Sequence, residues 1–156
     1  MKNNLERMIA LVDEVFDVKN DPGQLQVNEA VMMRLQQIHP ATLSAYDEGN
    51  GPVLWILVVP TLSSLMDQFL NKEITEQQLV DSTPVGVPYD VIYLCSAIVL
   101  PEYRRKGMAR KITIEAIKKI ETDHKINTLF YWGFTPEGDL LAQSIAAELG
   151  IALLKR

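Results

Sequence analysis

Residues Val99 to Ala109 read V-L-P-E-Y-R-R-K-G-M-A. An apolar run ends at a Pro, three consecutive cations follow, and a Gly precedes a stretch with helical spacing. Cationic side chains and the first N–H groups of a helix therefore meet in one place. Those N–H groups have no intrahelical partner and lie at the positive end of the helix dipole, so they attract anions. Gly107 lets the backbone approach a ligand closely. The chemistry these residues suit is the cradling of a phosphate or pyrophosphate.

The charge distribution agrees. Residues 102–119 carry seven basic and two acidic groups, a local +5 in a chain whose net charge is −5, which leaves −10 elsewhere. A positive patch on an acidic protein suits a small anionic ligand better than a long polyanion, so nucleic acid is not an expected partner. Lys118 and Lys119 also fit a solvated helix face; Arg104, Arg105 and Lys106 fit it poorly. The composition, 47% hydrophobic and 22% charged, is that of a globular domain. No apolar run reaches the ~18 residues of a membrane span. The N-terminus lacks an apolar segment of secretory type. A single cysteine, Cys95, excludes an internal disulfide and suits a reducing compartment, so a cytoplasmic location is expected.

The elements that must position this segment follow from periodicity. Helical spacing of Leu5, Met8, Ile9, Val12, Val15 and Phe16 predicts a helix over 4–17, broken by Asp21-Pro22-Gly23. Asn28 is a candidate N-cap for a helix to His39, with Val31, Leu35 and Ile38 facing the core. Thr42–Asp47 and Val53–Val59 predict two strands of a hairpin, the second closed by Pro60. Residues 62–71 predict a helix. Thr75 and Gln78 form a T-x-x-Q capping-box pattern opening a short helix through Val80, and 82–88 predict a loop. Strand Tyr89–Leu100, a helix over 109–123 buried through Ala109, Ile112, Ala116, Ile117 and Ile120, and strand Thr128–Trp132 come next. Thr135-Pro136 opens a helix to Leu149, Gly150 stops it, and Ile151–Leu154 predicts a last strand. The order α-α-β-β-α-α-β-α-β-α-β predicts an α/β (α+β) domain, a central mixed sheet with helices on both faces. A single domain over 1–156 is expected, with an N-terminal helix and linker over 1–24 and a core over 25–156.

The strand, loop and helix over 91–120 resemble the acetyl-CoA-binding motif of the GCN5-related N-acetyltransferase (GNAT) superfamily, V-x-P-x-[YF]-[RQ]-x-x-G-x-[GA]. Val99, Pro101, Tyr103, Arg104, Gly107 and Ala109 stand in register with it. The resemblance implies a GNAT-like fold and acetyl-CoA, or coenzyme A, as co-substrate, with no metal. It implies that N–H groups of Arg105, Lys106, Gly107, Met108 and Ala109 hold the pyrophosphate. Arg104 would shape the loop, Arg105 or Arg110 would meet the 3′-phosphate, and the strand edge at Ala97, Ile98 and Val99 would pair with the pantetheine arm. It further implies acetyl transfer to a small amine acceptor. The expected partner is thus a small molecule, with no nucleic acid and no membrane, and a homodimer is one oligomeric option.

A second family signature, N-x-x-A-x-x-x-Y-x-x-x-G-[FI], falls on Asp139, Ala142, Ala146, Gly150 and Ile151. The Tyr that in many members protonates the departing thiolate is replaced by Ala146. The alternative expectation is therefore a catalytically impaired GNAT-fold coenzyme A-binding or structural/regulatory module. Candidates for the chemistry are Tyr93 and Cys95. Strand alternation puts Tyr93, Cys95 and Ala97 on one face and Ser96 on the other. Tyr93 stands where some members place a carboxylate base; with a reference pKa near 10 it is an acid or donor instead. Both residues also fit a plain core role, Cys95 more so. His39 and His124, each at a helix end, read as cations near the dipole, and neither shares metal-ligand spacing with Cys95. Trp132 and Phe134 fit a core or lid better than an acceptor contact, and Glu137 and Asp139 read as first-turn dipole partners.

Overall fold

The computed structural model describes residues 3–19 and 28–156. The elements are α1 (Asn4–Lys19), α2 (Glu29–Ile38), β1 (Leu43–Asp47), β2 (Pro52–Thr61), α3 (Ser63–Leu70), α4 (Glu76–Ser82), β3 (Val91–Val99), α5 (Met108–Glu121), β4 (Thr128–Tyr131), α6 (Pro136–Leu149) and β5 (Ala152–Lys155), with a 3-10 turn at Pro101–Tyr103. The order is the expected one. The Asp21-Pro22-Gly23 break lies outside the described residues, as do the side chains of Val15 and Phe16.

One five-stranded sheet runs in the order β1-β2-β3-β4-β5. β1, β2 and β3 are antiparallel neighbours, and β3, β4 and β5 are parallel. The two parallel crossovers, through α5 and α6, are right-handed by the general rule and so bring both helices to one face. An apolar cluster there joins Ile114, Ile117 and Ile120 of α5 and Ile145 of α6 to Ile56, Ile92 and Leu129. The other face carries α2, α3 and α4, packed through Val31, Leu35, Phe69 and Leu79 on Val59, Tyr93 and Phe130. The molecule is thus an α+β domain with a mixed sheet and helices on both faces. Among the described residues no helix is long and apolar enough to cross a membrane.

Two expectations need correction, and the buried face of α1 is narrower than its apolar spacing. β2 does not stop at Pro60 but continues to Thr61, with Pro60 opposite Ile92. β1 reaches only as far as Leu57 along β2, so the missing Pro60 N–H faces an unpaired edge and costs no ladder bond. In α1 the buried stripe is Met8 with Leu11 and Val12; Leu5 and Ile9 are about half exposed, because α1 rests on the sheet with a narrow face. Finally, β3 does not alternate strictly. Leu57 stands opposite Ser96 but Val58 opposite Leu94, which leaves Cys95 as the extra residue of a bulge. Directly opposed residues share a face. Ser96, opposite Leu57, therefore joins the Tyr93 side, and Ala97, opposite Ile56, takes the other.

Candidate functional site

The bulge lies where the sheet opens. β3 pairs with β4 only from Val91 to Leu94, and the pairing ends at Leu94 opposite Tyr131. Beyond it the β4-facing edge of Cys95–Val99 has no strand beside it. Ala97 on this edge is exposed and Cys95 and Ser96 are half-buried, whereas Ile98 is buried. On the far side of the notch β4 and β5 stay paired, and the Arg156 N–H donates to the Tyr131 carbonyl at 2.9 Å.

Past Val99 the chain turns through Pro101–Tyr103 into the cationic loop. Arg105 adopts φ 62°, and Gly107, the N-cap of α5, adopts φ 74° and ψ 8°. Two residues at positive φ, two positions apart, are a backbone pattern that anion nests use. For Arg105 this conformation costs on the order of 1–2 kcal/mol, a strain typical of ligand-holding loops. The N–H groups of Arg105 through Arg110 find no acceptor among the described residues; the first backbone bond of the helix is Lys111 N–H to Gly107. A Cβ placed on Gly107 would meet nothing within 4 Å, so the ground above the loop is open.

The cations divide into two groups. Arg104 donates from Nε to the Val99 carbonyl at 3.0 Å, which ties the loop back to the end of β3. That bond engages the Val99 carbonyl; Ile98 turns its backbone groups to Trp55 of β2, so Ala97 is the free part of the edge. Arg105 and Lys106 are exposed, with the Lys106 ammonium 5.4 Å from the Tyr103 ring centroid. Arg110 is held on α6, donating to Ser144 Oγ at 2.7 Å and lying 3.4 Å from Glu148. Of the two arginines expected to meet a further phosphate, Arg105 is therefore the available one. Glu102 belongs to the loop as well. Arg7 of α1 grips it at 2.5 and 2.7 Å and holds its carboxyl at about 2, well below the usual range.

The notch has a polar floor on the α2/α3/α4 face. The Tyr93 hydroxyl donates to Glu76 Oε2 at 2.5 Å, and the Cys95 thiol lies 3.9 Å from the same oxygen. Tyr93 and Glu76 are fully buried. Burial, then the Glu76 charge, push the Tyr93 hydroxyl well above its ordinary value, so it stays protonated at neutral pH. Glu76 is the first residue of α4, directly after the N-cap Thr75, whose capping box with Gln78 is complete. The helix N-terminus offsets the burial of its carboxylate. Nothing in the sequence singled it out, since an acidic residue in a capped first turn reads as a dipole partner.

Across the notch, the Arg156 guanidinium packs 4.4 Å from the ring centroids of both Phe69 and Trp132, which meet at 84°. Trp132 contacts Phe134 at 4.6 Å, and Phe134 is 42% exposed, so this pair forms a rim as well as core. Ala146 is buried between α6 and the sheet. Two phenols flank the end of the β3–β4 pairing on opposite faces. One is Tyr93. The other is Tyr131, which donates to Asp139 Oδ1 at 2.9 Å and is likewise pushed up by burial and by that carboxylate. Asp139, bonded also to Lys155 at 3.2 Å, is more than a dipole partner.

The histidines are not dipole cations. His39 Nδ1 accepts from the Ala41 N–H at 3.0 Å while Nε2 lies 2.8 Å from Asp123, and His124 Nδ1 accepts from the Tyr89 N–H at 3.2 Å. A ring nitrogen that accepts a backbone N–H carries no proton, so these contacts use neutral rings. Two broad concavities of about 440 and 420 Å³ open around these residues and share Asp123, at the opposite end of α5 from the cationic loop. Neither touches the loop or the Glu76 cluster. Among the described residues no three His, Cys, Asp or Glu side chains gather as a metal site.

No protein-family model, curated protein or solved structure matches the chain. The functional reading therefore rests on the notch and its loop.

Proposed function

We propose that the chain is a GNAT-like acyltransferase that binds acetyl-CoA and acetylates a small amine. The observation that carries this reading is the continuity of two backbone surfaces. The unpaired edge at Ala97 leads directly into a loop that presents six N–H groups, Arg105 through Arg110, beside Arg105 and Lys106. An extended amide-bearing arm suits the strand edge, and a pyrophosphate suits the loop and helix start. Coenzyme A joins those two groups in that order, and the thioester of acetyl-CoA supplies an activated acyl carbon.

The residues of the notch supply the remaining chemistry. Alignment of amine and thioester over the Cys95 bulge is the first contribution. A neutral amine that becomes an amide loses one proton. Tyr93 and Glu76 form a path for it: the Tyr93 hydroxyl already donates to Glu76 Oε2 and can pass its proton there while taking one from the acceptor side. The departing thiolate needs a proton in return. Ala146 has no hydroxyl to give, and Tyr131 is the protonated phenol on that face. The half-buried Cys95 thiol lies 3.9 Å from the same Glu76 oxygen.

A second reading, a coenzyme A-binding module without acyl transfer, is favoured by one observation, the buried methyl of Ala146 where a phenol would act. Both readings require binding, and turnover separates them. A ligand bound only by the native state raises stability by about 2.7 kcal/mol at one hundred times its Kd. Acetyl-CoA is expected to raise the melting temperature in a saturable way, and no shift at millimolar ligand overturns both readings. Release of free thiol with a panel of amines is expected for the enzyme; binding without thiol release selects the module.

A further inference from the structure

The cation at the acceptor side of the notch has no assigned partner in the scheme above. Arg156 follows β5, is half-buried, and has its guanidinium fixed in the corner between the perpendicular rings of Phe69 and Trp132. No ion pair joins it to any carboxylate among the described residues. Its Nε is the one buried side-chain nitrogen or oxygen, among the described residues, without a hydrogen-bond partner. That orphan donor costs about 1–3 kcal/mol and is closed off from solvent, so a ligand meets the guanidinium at its Nη groups. Stacking on two aromatic faces holds the guanidinium plane but offers no acceptor. Its charge is felt at the Tyr93 hydroxyl, where it opposes the effect of Glu76.

We propose that Arg156 is a carboxylate-binding subsite, and that the acceptor is a small amino carboxylate whose amine is presented to the Tyr93–Cys95 side of the notch. This rests on the acetyl-transfer reading for the amine, but not for the carboxylate. Planar fork-to-fork pairing is the interaction a fixed guanidinium makes best, and it accounts for an arginine held by rings where a lysine would keep only a point charge. The same placement gives specificity. An amine lacking the carboxylate leaves the guanidinium unpaired, while one carrying it gains charge-assisted bonds beside the Trp132 and Phe69 rings.

The test uses the full chain without coenzyme A. Saturation-transfer NMR and calorimetry are run with α-amino acids, β-alanine and γ-aminobutyrate, each against its carboxamide. The expected result is saturable binding of at least one amino carboxylate, with its amide roughly tenfold weaker or more, which corresponds to about one charge-assisted bond. Arg156→Gln is expected to erase the difference between acid and amide. Arg156→Lys is expected to keep binding with a smaller difference, and it stands in if the Gln variant fails to fold. Absence of binding by every member, equal binding of acid and amide, or a preference that survives in Arg156→Gln overturns the proposal. If acetyl-CoA binds while no carboxylate does, the subsite fails and the cofactor reading stands. If carboxylates bind through Arg156 while acetyl-CoA does not, the cofactor reading fails and the subsite stands.

Discussion

Tyr93→Phe removes one oxygen from a fully packed place and takes one hydrogen bond from a buried carboxylate. The lost bond is short, 2.5 Å, and its acceptor Glu76 has no exposed surface. A hydrogen bond to a charged group contributes a net ~1.5–3 kcal/mol, and for a chain of this size each kcal/mol moves the melting temperature by about 2–4 °C. The expected fall is therefore roughly 3–12 °C at pH 7, with the ring still stacked on Phe130. The effect has a pH signature. The folded-state value of Tyr93 is raised, so the native state holds its proton longer than the unfolded chain does. This contribution is complete below about pH 10 and is lost as pH rises through the folded value. The wild type should accordingly lose more stability than Tyr93→Phe on the alkaline side. Tyr89, Tyr103 and Tyr131 titrate in both proteins and cancel in the difference. Urea unfolding followed by circular dichroism at pH 7–11 measures both quantities. A loss under about 0.5 kcal/mol, with parallel alkaline limbs, refutes the coupling of Tyr93 to a charged Glu76.

Gly107→Ala should fold, since its Cβ meets no atom within 4 Å, but a non-glycine residue at φ 74° costs about 1–2 kcal/mol. The methyl intrudes on the cradle, so the melting shift induced by acetyl-CoA should disappear; a shift like that of the wild type removes the loop from the binding site. His124 is held below its ordinary value by burial and then by His39. Its contribution is therefore present above about pH 6.5 and is lost as pH falls through the lower folded value. His124→Asn, which keeps an acceptor for the Tyr89 N–H, should be less acid-sensitive than the wild type in urea titrations between pH 7 and 5. Identical acid limbs contradict the neutral-ring assignment.

Local signals carried much of the architecture. Capping residues Asn28, Thr75 and Thr135 each accept the N–H that their position requires, and Gly150 ends α6 at φ 65°. These depend on neighbours within a few residues, which a sequence displays directly. The bulge at Cys95 depends on how β2 and β3 register across the sheet, so period-two alternation misplaced Ser96 and Ala97. Glu76 and Arg156 stand 80 positions apart in sequence; Glu76 reaches the Tyr93 hydroxyl, and Arg156 acts on it through its charge, only once the chain has folded. The cationic loop was legible because its residues are contiguous. The engagement of Arg110 with Ser144 and Glu148 was not, since it needs α6 to lie alongside α5.

Amide hydrogen exchange with and without coenzyme A tests the central claim most directly. Two segments are read together, the N–H groups of Arg105–Ala109 and those of Ala97 and Val99 on the open edge of β3. The account predicts that saturating coenzyme A slows exchange in both, with little change at Tyr89 or around His39 and His124. Protection confined to the concavities near His39, or none in either segment, would contradict it.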